Sequence, residues 1–257
     1  MLRRSVAWEN LVRTVITLCS LDLSASMSLS TVRQLKYMSP DEVIRASKNL
    51  ANALKDGQNT TITHECLRSD CRLRKDPLTL AVIGEPSSEN SELAVAWLTA
   101  DIQRALQDGE VYAAGEDADA IAISFGPNND LGDHPAWTEF FARLSPEASK
   151  WWTEYFTVQY SSLTNEAYGA GQQRKSWHIQ VLGVRPDAQA KGLGTALVRA
   201  LQQRAKADNA DLYLQTATTP GFYEKLGFEV AGSTVLEAPL TGQFTYWAYR
   251  WRANSDS

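Results

Sequence analysis

The stretch VLGVRPDAQAKGLGTAL, Val181–Leu197, constrains the fold more tightly than any other part of the chain. It continues WHIQVLGV, residues 177–184, a nearly unbroken apolar run that predicts a strand covered on both faces. Arg185-Pro186 ends the run and a polar turn follows. Beyond the turn, Leu193, Ala196, Leu197, Ala200, Leu201 and Ala205 recur at helical spacing. A strand handed to a helix through a glycine turn makes an anion site. The first amides of a helix have no internal partner and carry the positive end of its dipole. Gly192 and Gly194 have no Cβ, so a phosphate can approach the backbone from Gln189 through Ala190, Lys191 and Leu193 to Thr195. Lys191 and Arg185 add charge, and Thr195 adds a hydroxyl. The stretch lacks the Gly-Lys-Ser/Thr of a phosphate-binding P-loop and the third glycine of the dinucleotide fingerprint. A tight turn with glycines for packing alone satisfies the same residues.

Around this stretch the pattern is mixed α/β. STVRQLKYM, residues 30–38, is strand-like. A helix is expected over 39–57, with Ser39 and Glu42 forming a capping box and Pro40 at the first position. Val43, Ser47, Leu50 and Leu54 share its face. Residues 58–88 are expected in loops, and 89–109 in a second helix with Val95, Leu98, Ile102, Ala105 and Leu106 on one side. EVYAA and AIAISFG then form a hairpin. Residues 127–176 are expected to be irregular and aromatic, with a helix opening at Ser145-Pro146-Glu147 and carrying Trp151, Trp152, Tyr155, Phe156 and Tyr160. DLYLQTA is a strand, PGFYEKLGF a short helix, and EVAGSTVLEA with QFTYWAYRW a closing strand pair. The adjacent hairpins predict a mixed sheet rather than a purely parallel one.

Composition narrows the partners. The net charge of −5 gives no basic footprint for nucleic acid, and no run is long and apolar enough to cross a bilayer. Three cysteines are too few for a disulfide framework, and free thiols of a cytoplasmic protein are expected. His64, Cys66 and Cys71 are irregularly spaced with no fourth ligand, so no metal is expected. Residues 1–29 form an N-terminal extension, disordered or targeting, with Met27 an alternative start.

Val184, Pro186, Gln189, Gly192 and Gly194 fit V-x-P-x-x-Q-x-x-G-x-G, which resembles the acetyl-CoA motif of the GNAT N-acetyltransferase superfamily. FYEKLGF, Phe222–Phe228, resembles that superfamily's last motif, one helix and one strand later. The clear resemblance covers about 177–235. It implies one α/β (α+β) domain over 30–257, with insertions near 58–88 and 127–176. Its sheet would be mixed and mostly antiparallel, flanked by helices, with a splayed strand pair holding CoA.

The resemblance further implies an acetyl-CoA-dependent N-acetyltransferase acting by direct attack of an amine on the thioester. Leu182, Gly183 and Val184 would pair with the pantetheine arm, the turn Gln189–Thr195 would hold the pyrophosphate, and Phe222 and Tyr223 would contact the cofactor. Tyr223 stands where the family has its general acid. His178 matches the first histidine of a pair in arylalkylamine N-acetyltransferases and is the candidate base. The second falls at Gln180. Glu154 and Glu224 are fallback carboxylates. The family's frequent asparagine after the fifth strand is missing, which leaves Thr216, Thr218 or Thr219 to replace it. Trp152, Phe156 and Trp177 are candidate walls for a small-molecule primary amine. The same aromatics also suit a helix that only covers the sheet. A protein or peptide N-acetyltransferase and a non-catalytic acyl-CoA-binding protein remain alternatives.

Overall fold

The computed structural model describes residues 32–55, 76–84, 87–129, 134–218 and 220–254. His64, Cys66, Cys71, Thr219 and the N-terminal extension lie outside them. Seven strands form one sheet in the order β1-β2-β3-β4-β5-β7-β6. They are β1 Val32–Leu35, β2 Glu110–Ala114, β3 Ala120–Phe125, β4 Trp177–Val184, β5 Leu212–Thr216, β6 Glu229–Ala238 and β7 Gly242–Trp251. Every neighbouring pair is antiparallel except β4 and β5.

Helix α1, Pro40–Lys55, starts as its sequence dictates. The Ser39 amide donates to Glu42 Oε2 at 2.8 Å and the Glu42 amide to Ser39 Oγ at 3.3 Å, closing the capping box. Val43, Ser47 and Leu50 are buried on one face. They pack with Leu98, Ile102 and Ala105 of α3, Ser88–Asp108, onto Val111, Ile121 and Ile123 of the sheet. The opposite face of the sheet is covered by α7, Leu193–Ala207, through Leu197, Val198, Leu201 and Ala205.

Two helices appear where loops or irregular chain were expected: α2, Pro77–Ile83, and α4, Pro135–Phe141. Both begin with proline at the first helical position, behind a side chain that accepts from the helix: Asp76 from Thr79 N and His134 from Ala136 N. The aromatic region is a continuous helical rod. Helix α5, Pro146–Lys150, runs into a π-helical turn, Trp151–Phe156, and then into α6, Thr157–Tyr168. Its Trp151 indole donates to Glu237 O at 2.8 Å, and Tyr155 Oη accepts from Glu237 N at 3.1 Å, which clips the rod to β6. The last helix, α8, spans Pro220–Glu224. Among the described residues, no helix is long and apolar enough to cross a membrane.

Candidate active site

The parallel pair β4–β5 is joined only through Trp177–Ile179 and Leu212–Leu214. The register of β4 against β3 slips at this point: Ile123 faces Val181 while Ser124 faces Ile179, so Gln180 is an extra residue on β4. Beyond it β4 follows β3, β5 follows β7, and the two central strands part. The parting opens a cleft of about 760 Å³ whose lining includes Gln180–Leu182, Leu214–Thr218, Tyr223 and His178.

On the far side of β4, the turn into α7 shows why it needs two glycines. Gly192 is the N-cap with φ +81°, the left-handed region that a Cβ disfavours, and a Cβ built there meets nothing within 4 Å. The space in front of it is open. Gly194 is needed for a different reason: a Cβ there would lie 3.3 Å from Val184 Cγ2 and 3.6 Å from the Phe222 ring. No side chain caps the helix, so its first-turn amides point outward uncapped. Gln189 ties the turn to the strand by donating to Val184 O at 3.2 Å. Lys191 and Thr195 are exposed. Arg185 is already committed to Asp119 at 2.9 Å and Asp187 at 2.6 Å. An uncapped helix end, an open left-handed glycine and an adjacent splayed strand fit a diphosphate with a linear arm, as CoA has.

Tyr223 is buried against Phe222, Phe228 and Tyr249. Its hydroxyl has no hydrogen-bond partner among the described residues, and burial holds its pKa above the usual 10. It is therefore a protonated, uncommitted donor at the cleft wall. The Thr216 and Thr218 hydroxyls are used locally: Thr218 N donates to Thr216 Oγ1 at 3.1 Å, and Thr216 Oγ1 donates to Thr218 O at 2.7 Å.

His178 faces the cleft in a defined tautomer. Tyr168 Oη donates to the carbonyls of Leu214 and Tyr249, 3.0 and 3.2 Å away, so its oxygen can only accept from Gln215 Nε2 at 2.9 Å. That turns Gln215 Oε1 toward Tyr160 Oη at 3.1 Å and His178 Nε2 at 2.9 Å. An amide oxygen only accepts, so His178 Nε2 carries the proton and Nδ1 keeps the lone pair. Burial lowers the imidazole pKa to about 4, the Gln215 hydrogen bond opposing and the Arg104 charge assisting. The ring is neutral at physiological pH.

Trp152 and Phe156 line the cleft, with Trp97, Trp137, Phe141 and Tyr160. Trp177 does not. Strand alternation turns it to the α7 face, where it is buried beneath Arg204 and its indole donates to Asp208 at 3.0 Å. Glu154 is exposed beside Lys150, and Glu224 accepts from Tyr249 Oη at 3.1 Å. Neither lines the cleft. Sequence reasoning missed Asp101, Arg104 and Gln215. Asp101 and Arg104 are buried charged residues of α3 in the cleft wall. A legible signal existed: Asp101 falls three residues after Leu98 and four before Ala105, on the apolar face. Among the described residues no group of three or more His, Cys, Asp or Glu is placed to hold a metal.

Residues 153–230 match the family model described as an acetyltransferase (GNAT) domain. Three solved structures share the fold. The histone acetyltransferase HPA2 and related acetyltransferase from Corynebacterium glutamicum is 16% identical, with 84% of this chain and 94% of that chain covered and a TM-score of 0.52. Arylalkylamine N-acetyltransferase 2 from Aedes aegypti is 13% identical over 87% and 99%, with a TM-score of 0.52. An agmatine N-acetyltransferase is 12% identical over 86% and 99%, with a TM-score of 0.51.

Proposed function

We propose that this acyltransferase of the GNAT superfamily moves an acetyl group from acetyl-CoA to the primary amine of a small molecule by direct attack. The observation that carries the reading is the parting of β4 from β5 directly into a cleft walled by aromatic rings, with Tyr223 at its edge. Two fold neighbours bear the names of enzymes acting on small amines, agmatine and arylalkylamines. A peptide acceptor would call for an open acidic groove, whereas the lining here is rich in aromatic rings, which supports a small amine.

The roles follow from the chemistry of each group. The uncapped amides of α7 and the open face of Gly192 receive the diphosphate. The edge of β4 from Leu182 to Val184 lies along the pantetheine arm. The thioester supplies the acetyl group. Tyr223, kept protonated by burial, donates to the departing sulfur. His178 presents Nδ1 as an acceptor that passes a proton on without keeping it, because its imidazolium is disfavoured.

The test is release of free thiol from acetyl-CoA in the presence of a panel of primary amines and of lysine-bearing peptides. Small amines should stimulate release above hydrolysis, and mass spectrometry should find the product 42 Da heavier than the amine. Stimulation by peptides alone would transfer the reading to a protein acetyltransferase. CoA binding without stimulation by any acceptor would remove the catalytic claim.

A further inference from the structure

Asp101 is fully buried, and neither carboxylate oxygen has a hydrogen-bond partner. Its helical neighbour Arg104 does not meet it. The Arg104 guanidinium carbon lies 4.8 Å from the centre of the Phe125 ring, and its Nη2 is itself unpartnered. A carboxylate taken from water costs several kcal/mol, and the Arg104 charge and the Trp137 and Trp97 indoles, none of which completes a hydrogen bond to it, offset that only in part. The other acid of the cleft, Asp76, is committed to Thr79 as the cap of α2, through the Thr79 amide at 2.9 Å and its hydroxyl at 2.6 Å.

What surrounds Asp101 suits a cation. Trp97 precedes it by one helical turn, and both line the cleft with Trp137, Phe141 and Trp152. Trp97 and Trp152 meet edge-on at 6.0 Å, Trp137 and Trp152 are tilted at 6.1 Å, and Trp137 and Phe141 at 5.3 Å. The indole N–H groups of Trp97 and Trp137 act on the Asp101 carboxyl without completing a hydrogen bond to it. Ring faces attract a desolvated ammonium or guanidinium, and a carboxylate fixes its position. This cluster comes from α3, α4 and the π-helical turn, whereas Tyr223 belongs to α8 and the strand parting to β4 and β5.

We propose that the acceptor carries a second cationic group, an ammonium or guanidinium remote from the reacting amine, and that Asp101 anchors it among Trp97, Trp137 and Trp152. The inference deepens the acceptor-site reading given above and rests on it.

The test separates the two. Butylguanidine has no primary amine to acetylate, and butylurea is its neutral counterpart. Calorimetry near pH 8 should show butylguanidine binding wild-type protein about tenfold or more tightly than butylurea, a difference of ~1.4 kcal/mol. Asp101→Asn should erase the difference. Turnover should favour 1,4-diaminobutane over butylamine through KM, and the same variant should bring that selectivity toward one. Equal binding of the two probes to wild type overturns the anchor without needing any variant to fold. So does a preference that survives in folded Asp101→Asn. Parallel loss of turnover on both amines in that variant also overturns it, because Asp101 would then act on the reacting amine. Butylguanidine selectivity with no acetylation of any amine would keep the cation subsite and refute the transferase reading instead.

Discussion

Asp101 and His178 face one cleft and are both perturbed by burial, but their effects on folding run in opposite directions with pH. Burial raises the Asp101 carboxyl from 3.8 to about 7, with the Arg104 charge and then the Trp137 and Trp97 indoles pulling it back. The folded state therefore keeps a proton that the unfolded state releases. The stability this contributes is complete below pH ~4 and is lost as pH rises through about 7. For His178 the unfolded ring protonates at 6.5 and the folded ring only near 4, so its contribution is complete above pH ~6.5 and is lost as pH falls toward 4. Each slope is ~1.4 kcal/mol per pH unit, and in the wild type the two oppose each other across the shared window.

Asp101→Asn, a neutral isostere, should unmask the His178 slope. Relative to wild type it should gain about 4 kcal/mol between pH 4 and 8. His178→Gln should lose its stability advantage over wild type in the reverse sense, by about 2 kcal/mol once the ring's partial exposure to the cleft is allowed for. Groups common to all three proteins, among them Asp76, Glu42, Asp187 and Asp208, cancel in the difference curves. Urea unfolding followed by tryptophan fluorescence at half-unit pH steps gives these curves. An Asp101→Asn difference that stays flat from pH 4 to 8 would refute the claim that the carboxyl is buried without a partner.

Gly192→Asp should abolish CoA binding by calorimetry while the fold persists, since the side chain enters open space where the diphosphate is proposed to bind. Gly194→Ala should instead disturb packing, because its Cβ would press on Val184 and Phe222. Tyr223→Phe should lower kcat by ~10²–10⁴-fold with Tm unchanged or slightly raised, because the hydroxyl it removes has no partner among the described residues. Wild-type turnover would reduce Tyr223 to packing. His178→Gln should leave the activity profile between pH 6 and 8 in shape, since the wild-type ring titrates near 4. Disappearance of a limb near 6.5 in that variant would overturn the tautomer and its neutral state.

Strand β4, the capping box of α1 and the glycine turn were legible because each is fixed by neighbours within a few residues. β4 runs over Trp177–Val184 as the apolar pattern indicates, and Ser39 and Glu42 meet as their spacing requires. The short helices α2 and α4 were not expected, although Asp76-Pro77 and His134-Pro135 carry start signals. Seven residues are too few for a periodicity to stand out, and their stability comes from packing on α3 and the aromatic rod. Trp177 was placed by its aromatic neighbours in the sequence, yet its face is set by alternation along β4, where one residue decides between core and cleft. The partners of His178 lie 37 residues away on β5 and further still through the tyrosines, so no local pattern could reveal its protonation state.

Gln180 shows how one extra residue in a strand can shape the cleft beside it. In a regular strand, His178 and Leu182 would share a face, four residues apart. The extra residue at Gln180 resets the alternation. His178 and Val181 thereby face α1, α3 and the cleft, while Leu182 and Val184 join Leu197 and Val198 beneath α7. At the same place the β4–β5 ladder stops, and the gap left between the strands leads into the cleft. A second histidine in this position would sit on the slip itself. The proton transfer proposed above for His178 would use Nδ1, because Nε2 is held by Gln215 Oε1 on β5. Gln215, held in orientation by Tyr168 and Tyr160, is the group that fixes which nitrogen of His178 is available for it.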